Sequence, residues 1–201
     1  MKTSLHHIAL RGNLNELQTA LQQQGNIHLR DQEGNSLLHQ AALSGDVAKA
    51  AFLIREGANV NVKNQVGWSP LHDAALSGQP LMVQLLLDHH ANPNAMDYKG
   101  NTALHIAAYE ANPTIVKLLI DKGADVIIKN QQNQKPSDRI HWQKACAPQA
   151  RSIRKIFAYY EADKDDCTNK PKGSLNGVNY SQNWLDFLQN QRQNSNINPI
   201  I

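Results

Sequence analysis

The chain has 201 residues, of which 41 % are hydrophobic, and it carries a formal net charge of +3 at pH 7. This length predicts one domain with or without a tail, and the apolar content is sufficient for a folded core. Residues 1–129 carry a net charge of −1 and residues 130–201 a net charge of +4, a bias too mild to indicate a nucleic-acid partner. No apolar run reaches membrane-spanning length, and no signal-peptide core follows the N-terminus. We therefore expect a cytoplasmic protein without membrane insertion.

The sequence repeats itself with a period of 33 residues. The stretch "GNSLLHQAALSG" at 34–45 returns as "GWSPLHDAALSG" at 67–78 and as "GNTALHIAAYEA" from residue 100. A period in this range indicates stacked structural repeats rather than a recurring catalytic motif. The residues that keep the interval are Asp31, Asn64, Asp97 and Asn130; Gly34, Gly67 and Gly100; Ser36, Ser69 and Thr102; and His39, His72 and His105.

Each copy predicts a turn followed by two short helices. The segment "TSLHHIALRGNLNELQTALQQQG" supplies a first pair without a leading turn, and runs such as "PLHDAAL" and "LMVQLLL" supply the later pairs. Pro80 and Pro113 stand where a second helix would begin, and the glycines at the turns suit positive φ. His90 replaces a helix-ending glycine, Gly57 or Gly123 in other copies, and should strain that turn. The segment "WQKACAPQARSIRKIFAYYEADKDD" predicts a closing helix.

These repeats resemble the ankyrin repeat family, whose pattern runs D-x-x-G-x-T-P-L-H-x-A-A-x-x-G and continues with V-x-x-L-L. The closest copy lies at 64–96, and residues 130–140 open a degenerate fifth copy. The resemblance implies an all-α repeat solenoid of stacked helix-turn-helix units joined by β-hairpin loops. We expect repeats 1–4 at 1–129, a degenerate fifth repeat or C-terminal cap at 130–161, and a polar, largely disordered tail at 162–201 with a short apolar segment at 184–188.

The histidines do not predict a metal site. Packed helices lie about 10 Å apart, whereas zinc lies about 2 Å from its nitrogen ligands, so one histidine per repeat cannot share an ion. In the family this histidine hydrogen-bonds with the Ser or Thr three residues earlier, which here pairs His39 with Ser36, His72 with Ser69 and His105 with Thr102. The doublets His6-His7 and His89-His90 and the cysteines Cys146 and Cys167 also lack ligand spacing.

No catalytic motif is present in the sequence. There is no G-x-S-x-G, no phosphate-binding glycine loop and no H-E-x-x-H, and no base can be assigned to Cys146. We therefore predict a protein that is not an enzyme and has no cofactor and no metal.

The resemblance implies that ligands meet a concave face built from the loop tips and the first helices. One column of this face reads Leu10, Leu43, Leu76, Tyr109, and apolar side chains lined up on a solvated face are typical of an interface. The alternative is that these side chains pack against the next repeat. The predicted partner-binding residues are Glu33, Asn35, Leu43, Val66, Trp68, Asp73, Leu76, Tyr98, Lys99, Asn101, Tyr109 and Glu110.

Two further surfaces follow from the same sequence. Arg151, Arg154 and Lys155 on the closing helix form either a basic patch for an acidic partner or a solvated outer face. Asn61 and Asn94 occupy the asparagine position that, in this family, an asparaginyl hydroxylase modifies in animal cells.

We expect a monomeric, non-enzymatic adaptor or scaffold that binds a protein or peptide and no nucleic acid. A second hypothesis is a host-targeted effector secreted by an intracellular bacterium, which the abundance of Asn and Gln favours. A third is a module that binds histone tails in the nucleus, because "GWSPLHDAA" places Trp68 and Asp73 as in such domains. Ile106 departs from that pattern, and Lys63 and Lys99 disfavour a basic ligand.

Overall fold

The computed structural model describes residues 4–24, 26–140 and 147–165. The tail from residue 166 onward, its apolar segment at 184–188, Trp142 and both cysteines lie outside the described residues. Nine α-helices and one 3₁₀ helix form in the described ranges. They are α1 (Leu5–Arg11), α2 (Leu14–Gln24), α3 (Leu37–Ser44), α4 (Val47–Arg55), α5 (Pro70–Ser77), α6 (Pro80–Asp88), α7 (Ala103–Tyr109), α8 (Pro113–Asp121), the 3₁₀ helix Pro136–Arg139 and α9 (Ala147–Asp165).

The helices alternate between two layers. In the first layer α1, α3, α5, α7 and the 3₁₀ helix pack one on the next, and in the second layer α2, α4, α6 and α8 do the same. The predicted all-α repeat solenoid is confirmed. The loops between repeats are turns rather than strands, and the described residues contain only an isolated bridge between Arg30 and Ser36. Loop amides bond instead to the side-chain oxygens of Asp31 and Asn64, which leaves few for a strand ladder.

Local capping explains where the helices begin and end. Ser36, Ser69 and Thr102 precede α3, α5 and α7, and each forms a reciprocal capping box with the histidine three residues later. Proline occupies the start of α6 and α8, as predicted, where its missing N–H costs no hydrogen bond. Gly45 and Gly78 end α3 and α5 in the left-handed conformation.

Small residues let the first-layer helices approach each other. Each of α3, α5 and α7 presents a fully buried alanine pair, and leucines of both layers fill the space around these pairs. A single repeat could not bury these faces, so neighbouring repeats complete each other's core. The buried alanines are Ala41, Ala42, Ala74, Ala75, Ala107 and Ala108.

Two turn positions show how closely the backbone is constrained. Gly67 has a φ of 83°, and a Cβ there would lie 2.7 Å from the backbone N of Tyr98. His90 has a φ of 64° at the position that Gly57 and Gly123 occupy in neighbouring repeats. The predicted strain at His90 is therefore present, because a side chain is unfavourable in the left-handed region.

The closing helix α9 divides its residues as expected. Ile153 and Phe157 are buried, whereas Arg151, Arg154 and Lys155 are exposed. In the described ranges no helix combines the length and the apolar character needed to cross a membrane.

A buried lysine joins the first two repeats. Lys49 on α4 donates from Nζ to the carbonyl oxygens of Ala9 at 2.8 Å and Gly12 at 2.9 Å, at the end of α1. It also lies 3.4 Å from Oδ2 of Asp46, the N-cap of α4. Met82 and Ile115 occupy the equivalent core positions of the next repeats. Lys49 therefore satisfies carbonyls that α1 cannot pair within itself.

We expect Lys49→Met to destabilise the protein by about 1–3 kcal/mol, because those carbonyls lose their donor in a buried place. Chemical denaturation measures the loss. Lys122→Met is the matched control, since Lys122 forms an exposed ion pair with Asp88 and should change stability too little to measure. Equal or higher stability of Lys49→Met would show that the cost of burying the ammonium exceeds its bonds.

Candidate binding surface

One exposed face of the first helix layer carries two open leucines. Leu43 on α3 is 43 % exposed and Leu76 on α5 is 39 % exposed, one repeat apart. Tyr109, the next residue of this column, is half-buried, and the Arg139 guanidinium lies 5.1 Å from its ring centroid. The expectation that Tyr109 is fully solvent-exposed is wrong, because the 3₁₀ helix supplies a cation that covers the ring. We call Leu43, Leu76, Tyr109 and Asp73 the first-helix face.

Trp68 is part of a joint between repeats. Its indole N–H donates to Oδ2 of Asp97 at 3.3 Å, and its ring stacks on His72 with centroids 6.1 Å apart. Its carbonyl oxygen accepts from Nε2 of His39 at 3.0 Å. The side chain is half-buried, so the expectation of a fully exposed Trp68 is also wrong. It packs against the following repeat, which was the alternative.

Asn35 and Asn101 have the same kind of role as Trp68. Oδ1 of Asn35 accepts from Asn64 at 2.8 Å, and Oδ1 of Asn101 accepts from Asn130 at 2.9 Å. Both side chains therefore tie one repeat to the next.

The loop tips are linked through their backbones and leave side chains open. The carbonyls of Glu33, Val66 and Lys99 accept from N–H groups of the next loop at 2.9–3.1 Å. Val66 is 57 % exposed and Tyr98 is 63 % exposed. These tips add accessible apolar groups beside the joints. Glu110 is half-buried just after α7, away from the tips.

The repeated histidines bridge successive repeats. Nδ1 of His39 accepts from the backbone N–H of Ser36 at 3.1 Å, so this nitrogen carries no proton and Nε2–H donates to the Trp68 carbonyl. His72 and His105 make the same pairs with Ser69 and Asn101, and with Thr102 and Gln134. The predicted Ser and Thr contacts are confirmed at 2.8–2.9 Å.

Burial keeps these rings neutral. It lowers the pKa of His39 to about 4 and lowers the pKa of His72 and of His105 as well. His6, 33 residues before His39, reaches the Asn35 carbonyl oxygen with Nε2 at 2.9 Å. Sequence reasoning placed His6 only in a doublet, although its spacing assigned it to this column.

Asp73 is the unusual group of the first-helix face. It is 7 % exposed, and its Oδ2 is buried without a hydrogen-bond partner. Burial raises the pKa of its carboxyl group to about 8. A buried polar atom left unpaired costs about 1–3 kcal/mol. The sequence could name Asp73 but not its burial.

The remaining predicted sites are placed as follows. Asn61 donates from Nδ2 to the His90 carbonyl oxygen, and Asn94 does so to that of Gly123, at 3.0 and 3.1 Å. Both asparagines therefore bridge repeats, and their hydroxylation stays a prediction. Within the described ranges, no three His, Cys, Asp or Glu residues come together as metal ligands.

The neutral histidines and Asp73 give stability a maximum near pH 6.5. Below about pH 6.5 the unfolded chain takes up protons that the folded histidines refuse until about pH 4, so stability falls with acidification. Asp73 acts oppositely, because folded Asp73 keeps its proton up to about pH 8 while unfolded Asp73 does not. Its contribution therefore decreases as pH rises towards 8.

We expect the free energy of unfolding to fall by about 2 kcal/mol between about pH 6.5 and pH 8 in the native sequence, and to stay level in Asp73→Asn. Urea denaturation across this range measures both. An equal alkaline decline in the two proteins would contradict the role of Asp73.

Comparison with known families agrees with this architecture. A family model described as ankyrin repeats, in 3 copies, matches residues 38–130. A search of curated proteins finds no match. Ankyrin repeats are protein–protein interaction modules, and the family is generally non-enzymatic. By its repeats at residues 38–130, this chain belongs to the ankyrin repeat family.

Proposed function

We propose that this protein is a non-enzymatic adaptor that binds a protein partner through the first-helix face. The single observation that carries this proposal is the pair of exposed leucines, Leu43 and Leu76, at the same position of consecutive repeats. Isolated exposed leucines are ordinary. Two aligned on one face, beside a half-buried tyrosine, give a partner a continuous apolar contact.

The tied residues narrow this surface. Asn35, Trp68 and Asn101 spend their side-chain hydrogen bonds within the solenoid. They support the neighbouring side chains, and a partner would meet them at their edges. The exposed side chains of Val66, Tyr98 and Lys99 extend the proposed surface onto the loop tips.

The finer hypotheses have less support. A histone-tail module needs an acidic surface, yet Lys63 and Lys99 stand on the adjoining loops and Ile106 replaces an acidic residue. The hypothesis of a secreted effector depends on composition and on a tail outside the described residues. Arg151, Arg154 and Lys155 stay a second proposed contact for an acidic surface.

We expect the double change Leu43→Ser/Leu76→Ser to weaken partner binding about thirtyfold, corresponding to about 2 kcal/mol, because exposed apolar anchors carry interface energy. Affinity capture from a lysate with quantitative mass spectrometry measures which proteins are lost. The melting temperature should stay within a few degrees, since both side chains are open in the free protein.

Leu81→Ser provides the matched control. Leu81 is 73 % exposed on α6, in the second layer, and this change should leave capture intact. If the double variant captures the same proteins as Leu81→Ser, the first-helix face is not the binding surface.

A further inference from the structure

The orphaned carboxyl of Asp73 has an unused capacity for hydrogen bonding. Gln40 holds the equivalent position in the preceding repeat and donates to Oδ2 of Asp31 at 3.0 Å. Ile106 holds it in the following repeat and needs no partner. Native structures leave few buried polar atoms unpaired. Of the described side chains, only those of Asp73 and Arg139 contain such an atom.

Asp73 belongs to the same helix face as Leu76. Residues three apart on a helix are neighbours on its surface, and Leu76 is open to solvent while Asp73 is recessed. An occupant that covers Leu76 therefore passes over Asp73. Because so little of Asp73 is exposed, the end of a side chain can reach it more readily than a peptide backbone can.

No charge of the described residues stabilises this carboxyl group. Burial is the sole cause that raises its pKa, so it is mostly protonated at neutral pH and offers one O–H donor and one carbonyl acceptor. Lys63 acts on the neighbouring His72 and lowers its pKa, after burial and other contacts. The titratable groups on the elements around α5 are His39 on α3, Asp88 on α6, His105, Tyr109 and Glu110 on or just after α7, and Lys63, Asp97 and Lys99 in the loops.

We propose that Asp73 pairs with the side-chain carboxamide of an Asn or Gln carried by an uncharged, apolar segment of the protein partner. The inference rests on the proposed function and specifies the chemistry of that surface. The carboxyl O–H donates to the carboxamide oxygen, and the carboxamide N–H donates to the carboxyl carbonyl, so both groups are satisfied. A cationic side chain would have to leave water and pass Lys63 and Lys99, whereas a carboxamide meets no such repulsion.

The test uses short linear peptides selected from a random display library on the full chain at about pH 6.5. Their dissociation constants are measured on the native sequence, Asp73→Asn, Asp73→Leu and Leu43→Ser/Leu76→Ser. Asp73→Leu should fold, because Ile106 occupies the same position in the next repeat, and a thermal melt checks this. The essential residues of each peptide are found by alanine substitution.

We expect peptides with an essential Asn or Gln among apolar residues. Their affinity for the native sequence should fall about tenfold from about pH 6.5 to about pH 9, since the ionised carboxylate cannot donate. Asp73→Asn should bind within about threefold at both pH values, and Asp73→Leu should lose about tenfold. The double leucine variant should lose binding as well.

Other outcomes separate the two proposals. Peptides that need Leu43 and Leu76 but bind Asp73→Leu equally well would overturn the carboxamide inference and leave the proposed function standing. An essential Lys or Arg, with affinity rising with pH, would identify a cation site and overturn it too. Failure to select any peptide, or peptides indifferent to every variant, would contradict both proposals.

Discussion

The neutral histidine of each repeat is the interaction on which the rest of the solenoid depends. Nδ1 accepts the amide at the start of its own first helix, and Nε2 donates to a carbonyl of the next repeat, as in His39 between Ser36 and Trp68. One ring therefore caps a helix and joins two repeats. Both bonds require the unprotonated form, and burial supplies it by lowering the pKa of the ring. The period of 33 residues follows, because each joint needs the same residues at the same spacing.

The joints also decide which residues remain for binding. The polar groups at the loop bases are paired between repeats, as in Asn35 with Asn64 and Trp68 with Asp97. What stays accessible are the side chains that the joints do not need, such as Leu43, Leu76 and Tyr98. A rigid framework of paired polar groups therefore presents a small set of free apolar ones, and partner choice can change without altering the fold.

Much of the fold could be predicted because it depends on local spacing. The caps at Ser36, Ser69 and Thr102 and the prolines that open α6 and α8 act within a few residues of chain. The candidate site was less predictable because its properties depend on neighbours in other repeats. The cover of Arg139 over Tyr109, the bond from Trp68 to Asp97 and the burial of Asp73 all arise from contacts across repeats. Lys49 is a similar case, since a lysine at a core position does not reveal that α1 supplies its partners.

The protonation state of the three histidines tests the account most directly. Nitrogen-detected NMR of the full chain at about pH 7 and about pH 5 reports the tautomer and charge of each ring. The account predicts that His39, His72 and His105 carry their proton on Nε2 and stay neutral at both pH values, while the exposed His7 and His89 titrate. Rings that titrate near pH 6.5, or that carry the proton on Nδ1, would contradict the histidine bridge as the joint between repeats.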